Sequence, residues 1–111
     1  MFVPYSQSLA QRVRDILYGR RGIEERKMFG GVVFLLNSHM LVGVWKDSLI
    51  ARVGPDEAVV ALREPDVGVF DVTGRPMKNW VLVSSAGLEG DHQIRSWVDR
   101  ATRFVRTLPP K

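Results

Sequence analysis

The chain contains no cysteine and only two histidines, His39 and His92. Without thiols there can be no disulfide and no thiolate nucleophile. With two isolated histidines, the side chain that most often carries acid–base work and binds zinc is nearly missing. The longest unbroken apolar runs are about five residues, far short of the roughly 20 that a membrane helix requires, so no membrane contact is expected. The opening residues, Met-Phe-Val-Pro-Tyr-Ser, offer no basic region and no apolar stretch of secretory length, which with the lack of cysteine fits a cytoplasmic protein. There is also no glycine-rich turn leading from a strand into a helix, the element that cradles dinucleotides and phosphates. That counts against an S-adenosylmethionine or NAD enzyme, and no cofactor is expected.

What is present describes one folded domain. The 111 residues are 45% hydrophobic and 25% charged, enough apolar material for a single core and too much for a disordered chain. The net charge is +4, with twelve arginines against four lysines. Such a balance is compatible with nucleic acid, because phosphate neutralisation drives that binding, and equally with a soluble domain of ordinary charge. No repeat, low-complexity tract or second domain is visible.

Leu9, Val13, Ile16 and Leu17 recur with the spacing of an amphipathic helix, with Ser6 or Ser8 as its cap and Gly19 and Gly22 as its stop. A weak strand is expected from Ile23 to Phe29, because Glu24-Glu25-Arg26-Lys27 lies at its centre. Gly30-Gly31 reads as a bulge that sends Phe29 into the core. Val32 to Leu36, Met40 to Trp45 and Leu49 to Val53 are strands joined by the turns Asn37-Ser38-His39 and Lys46-Asp47-Ser48. Connections of about three residues make hairpins and exclude parallel crossovers. Gly54-Pro55-Asp56-Glu57 starts a short helix that Pro65 ends. Val69 to Thr73 and Trp80 to Val83 are two further strands, and Ser84 to Gly90 is a linker. A last helix, capped by Asp91, carries Ile94, Trp97, Val98, Ala101, Val105 and Leu108 on one arc until Pro109-Pro110. The order predicts an α+β, two-layer fold: a mainly antiparallel sheet of about six strands with flanking N- and C-terminal helices. Leu9, Val13, Ile16, Phe34, Trp97, Val98, Ala101 and Val105 are its expected core.

No residue set meets the demands of catalysis. Neither histidine has a metal-ligand partner at a useful spacing, and both read as solvent-exposed structural residues. Ser84-Ser85 lacks a nucleophile elbow and a base. No catalytic or metal site is expected. Two basic features remain. Arg95, Arg103 and Arg106 share one face of the last helix, with Asp99 cancelling part of it, and are the candidate nucleic-acid contacts. The loop from Gly74 to Trp80 joins Arg75, Met77, Lys78 and Trp80, residue types that dominate binding interfaces, on a support where binding loops are common. Apolar residues occupy both faces of several strands, which suggests a homodimer with Trp45 or Trp80 near the contact. If the strands carrying Arg52 and Asp71 are neighbours, these two side chains could pair across the sheet.

Met28-Phe29-Gly30-Gly31, Lys46-Asp47, Arg52-Val53-Gly54-Pro55 and Thr73-Gly74-Arg75-Pro76-Met77 resemble the N-terminal domain of the TfoX/Sxy competence regulators, in particular its short stand-alone members. The resemblance spans nearly the whole chain. It implies an antiparallel sheet flanked by helices, similar to secretion chaperones, and a regulatory or adaptor role through a protein partner. It provides no catalytic residues to carry over. The longer relatives have a second, C-terminal domain that has no counterpart in these 111 residues. Binding of nucleic acid through the basic residues is the alternative function.

Overall fold

Ser6 starts the first element: its hydroxyl accepts the Leu9 N–H at 3.1 Å, capping helix α1 (Gln7–Leu17). The computed structural model describes residues 5–28, 30–71 and 77–110. After α1 come strands β1 (Ile23–Met28), β2 (Gly31–Leu36), β3 (His39–Trp45) and β4 (Ser48–Arg52), then helix α2 (Pro55–Ala61), β5 (Val67–Val69), β6 (Trp80–Val83) and helix α3 (Asp91–Val105). The strands form one antiparallel sheet in the order β1-β2-β3-β4-β6-β5. The expected α+β architecture is therefore the one observed.

The first four strands follow chain order because each link is too short to do anything else. Beyond β4 the order changes. Helix α2 carries the chain past one strand position to the sheet edge, and β6 returns to fill the gap between β4 and β5. Arg52 accordingly pairs in register with Trp80. Strands β4 and β5 are not neighbours and Asp71 lies two residues beyond β5, so Arg52 and Asp71 do not pair across the sheet.

Alternation of side chains builds two cores of unequal size. On one face Val32, Phe34, Leu49, Ala51, Val81 and Val83 meet the apolar stripes of α1 and α3. Val13, Val98 and Ala101 have no exposed surface there. Of the expected core residues only Ile16 is less than fully buried, packing at the rim. On the other face Ile50, Phe70 and Trp80 form a smaller cluster, with Met40, Trp45, Met77 and Leu82 around it.

Several local expectations shift. Met28 pairs directly with Gly31, so Gly30 (φ +73°) belongs to a tight hairpin and not to a bulge. A Cβ on Gly31 would collide with the Val44 carbonyl, which explains the second glycine. The irregularity of register lies instead between Phe34 and Leu35. Phe29 lies outside the described residues, so its expected place in the core does too. Strand β5 sits two residues earlier than expected, and the expected extension over Val72 and Thr73 lies outside the described residues. Ser85–Leu88 is a 3-10 turn that buries Leu88, where an open linker was expected. The N-cap of α3 is Gly90, whose N–H reaches Gln93 Oε1 at 2.8 Å, and Asp91 is the first helical residue. The helix ends at Val105, before the two prolines are reached.

Candidate interaction surfaces

The end of the chain segment that leads into β6 is less open than its composition suggests, Met77 and Asn79 being half-buried. Phe70 lies between two tryptophans, 6.2 Å from the Trp45 ring and 5.9 Å from that of Trp80. Edge-on and tilted aromatic pairs of this kind stabilise a core beyond their area alone. Trp80 is buried and Met77 and Trp45 are half-buried, while Lys78 is exposed. Lys46 Nζ stands 4.6 Å over the Trp45 ring, a cation–π contact at the rim of this cluster. Arg75 lies outside the described residues. Phe70 and Trp80 are thus covered on the second sheet face, while Trp45, Met40, Met77 and Leu82 around them keep part of their apolar surface exposed.

The basic face of α3 is real and stronger than its sequence implies. Asp99 is engaged by Arg20 at 3.5 Å, so the acid that interrupts the stripe is itself countered by a cation from beyond α1. Arg95, Arg103 and Arg106 are exposed and have no acidic partner among the described residues. Arg95 and Arg103 border one recess with His92, Ser96 and Asp99. Arg106 faces a different one, beside Asn37 and His39. Arg100, between them, is spent on structure. It binds Glu64 through both ends of its guanidinium at 3.1 and 2.7 Å and Glu57 at 3.1 Å, and lies 4.0 Å from the Trp97 ring centroid. Burial by itself would lower the Arg100 pKa; the two glutamates outweigh it and raise it.

His39 overturns its expected exposure. It is buried in β3, and its Nε2 donates to the Pro109 carbonyl at 2.8 Å, tying the segment after α3 to the β2–β3 hairpin. His92 is exposed, as expected. Arg52 is another polar side chain drawn inward. Its Nε is buried without a partner, one guanidinium nitrogen reaches the Met40 carbonyl at 3.5 Å, and the Phe104 ring centroid is 5.8 Å away. Burial holds its pKa below the usual arginine value. Among the described residues no group of three His, Asp or Glu side chains could hold a metal ion. No described helix is long and apolar enough to cross a membrane.

One surface escapes the sequence reading. Helix α2 buries only Ala58 and Ala61, leaving Val59 and Val60 exposed at 58% and 52%. Leu62 follows at 40%, and Val69 on edge strand β5 at 50%. Val67 and Val69 sit opposite Val83 and Val81, which face the helices, so Val69 shares α2's side of the sheet. The available signal was Ala58-Val59-Val60-Ala61-Leu62. Five consecutive apolar residues exceed what one stripe of a two-turn helix can bury.

No curated protein and no solved structure matches this chain. A family model does: that of the TfoX N-terminal domain, over residues 15–105. The match runs from the last turn of α1 to the end of α3, and so covers the complete sheet with the helix that closes its core. With that coverage and this antiparallel architecture, the chain belongs to the TfoX N-terminal domain family, as a regulator-like domain.

Proposed function

We propose that this domain is a non-enzymatic regulatory or adaptor module of the cytoplasm that works by binding another protein. The observation that carries the reading is the exposure of Val59, Val60 and Leu62 along α2, with Val69 exposed on the edge strand of the same side of the sheet. Large apolar side chains grouped on a small domain are a feature of protein contact sites. The interaction expected of Trp80 is reassigned to a supporting role, since Trp80 is part of the second core. Trp45, Met77 and Lys78 remain accessible at its rim, and Arg75 stays a candidate from sequence alone.

A second reading has its own support. With Asp99 bridged to Arg20, the exposed Arg95 and Arg103 flank one recess on α3 and Arg106, just past its end, faces another, and exposed arginines of this kind are what phosphates favour. The two readings separate in one experiment: capture from cell extract at low and high salt, with and without nuclease. The comparison uses wild type, Val59→Ser/Val60→Ser and Arg95→Glu/Arg103→Glu. Protein capture that survives nuclease and salt and is lost in the valine variant is the expected result. Capture abolished by nuclease and lost only in the arginine variant would replace protein binding with nucleic-acid binding. In that case affinity should fall by about 0.9 log unit per log unit of salt for each contacted duplex phosphate.

A further inference from the structure

The two edges of the sheet are built differently. Strand β1 carries Glu24, Glu25, Arg26 and Lys27 along its length, all exposed, and charged edges of this kind resist pairing with another chain. Strand β5 at the opposite edge is Val67-Gly68-Val69 and carries no charge. Its backbone orientation is set on both sides. The Ser84 N–H donates to the Asp66 carbonyl at 2.8 Å, and the Met77 N–H to the Phe70 carbonyl at 3.2 Å. Residues 66 and 70 therefore point their backbone groups towards β6. Alternation then directs the N–H and C=O of Val67 and Val69 away from the sheet.

We infer that β5 is a docking edge for an extended segment of a partner protein, three apolar residues flanked on each side by Arg or Lys, added to the sheet as a seventh strand. This deepens the protein-binding reading and rests on it. Residues of the added strand opposite Val67 and Val69 lie on the side of Val59 and Val60. The residue between them lies over Gly68, where a Cβ would meet nothing within 4 Å. A large side chain placed there would cover Leu82, which pairs with Gly68 and is half-buried. Charge selects the flanks. Asp66 and Asp71 are exposed at the two ends of the strand, and neither has a cationic partner among the described residues. In a chain of net charge +4, the charged residues nearest the strand on either side are both acids. A second copy of the chain is disfavoured for the same reason. A twofold pairing centred on Gly68 would set Asp66 of one copy beside Asp71 of the other.

The test uses a fluorescein-labelled, end-blocked peptide, Gly-Arg-Val-Phe-Val-Arg-Gly, and anisotropy with the whole chain. Saturable binding is expected. It should weaken by about tenfold or more when alternate peptide nitrogens are methylated, because the backbone hydrogen bonds of the added strand are then lost. Val69→Lys, a change at a half-exposed site that copies the guarded edge, should weaken it as much while leaving circular dichroism unchanged. Replacing the peptide arginines by glutamate should abolish binding, and Asp66→Asn/Asp71→Asn should remove the preference for arginine. Equal binding of the methylated peptide, or of the glutamate peptide, would overturn the inference. So would a wild-type dimer that Val69→Lys makes monomeric, since a second copy would then occupy the edge. Absence of peptide binding together with extract capture lost in Val59→Ser/Val60→Ser would remove strand addition and leave the protein-binding reading standing.

Discussion

His39 and Pro109, 70 residues apart in the chain, are joined by a 2.8 Å hydrogen bond from a buried imidazole to a backbone carbonyl. The bond anchors the segment that follows α3 over the β2–β3 hairpin. His39→Phe keeps most of the volume and removes the donor, so it should cost about 1 kcal/mol. Urea denaturation measures that loss. Amide exchange at Leu108, whose N–H is bound to the Val105 carbonyl at 3.1 Å, should quicken as the tether is lost. Unchanged exchange would show that the segment is held by apolar packing alone.

Gly54 should tolerate no side chain. It joins β4 to α2 with φ at +89°, and a Cβ there would collide with the Phe104 ring of α3. Both the backbone conformation and the space demand glycine. Gly54→Ala is expected to destabilise the domain by roughly 1–3 kcal/mol, read as a lower thermal midpoint. A variant as stable as wild type would mean that Phe104 moves aside freely.

Arg100 should not be replaceable by lysine. Its guanidinium reaches both oxygens of Glu64 and one of Glu57 while lying over Trp97, a planar fork geometry that an ammonium cannot reproduce. The arginine side chain is only 12% exposed, whereas its glutamates are 35% and 42% exposed. The expected cost of Arg100→Lys is about 1–2 kcal/mol, below that of a fully buried ion pair. Glu57→Gln and Glu64→Gln measured singly and together would apportion it.

Arg14 and Glu25 supply a pH-dependent contribution. The hydrogen bonds from Arg14, at 2.8 and 2.7 Å, hold the Glu25 carboxyl below its usual range. A carboxyl whose pKa is depressed on folding contributes its full stabilisation above the unfolded pKa and loses it as the pH falls through the folded one. Wild type should therefore exceed Glu25→Gln in stability at neutral pH, and the gap should close in acid. With both side chains more than a third exposed or nearly so, the gap should stay under about 1 kcal/mol. A gap that widened in acid would contradict the sign.

The surroundings of Trp45 and Trp80 lead to an oligomeric expectation. Because Trp45, Met40, Met77 and Leu82 leave apolar surface around Phe70 and Trp80, the isolated domain should scatter light as a dimer at tens of micromolar, a range where weak interfaces populate. Dissociation by Trp45→Ala, with the fold retained, would place the contact on this face; a strict monomer of the wild type would remove the homodimer.

The amino-acid sequence by itself determined the elements whose causes are local. The stripes of α1 and α3 are legible because 3.6-residue periodicity places Val13, Trp97, Val98 and Ala101 on buried faces whatever they pack against. The β2–β3 and β3–β4 hairpins are legible because links this short permit only antiparallel neighbours, whereas the turn at Gly30 reads as a bulge until Met28 is seen to pair with Gly31. Tertiary structure alone decided the insertion of β6 between β4 and β5, since a strand that follows a helix can join the sheet at more than one position. With that insertion Arg52 faces Trp80 rather than Asp71, and β5 becomes an edge. Contacts between distant segments were equally invisible: a histidine in a turn sequence is buried and bound to the carbonyl of Pro109, 70 residues further on. The exposure of Val59 and Val60 has the same origin. Hydrophobicity records what a side chain would gain by burial, but only the packed neighbours determine whether any surface is left to bury it.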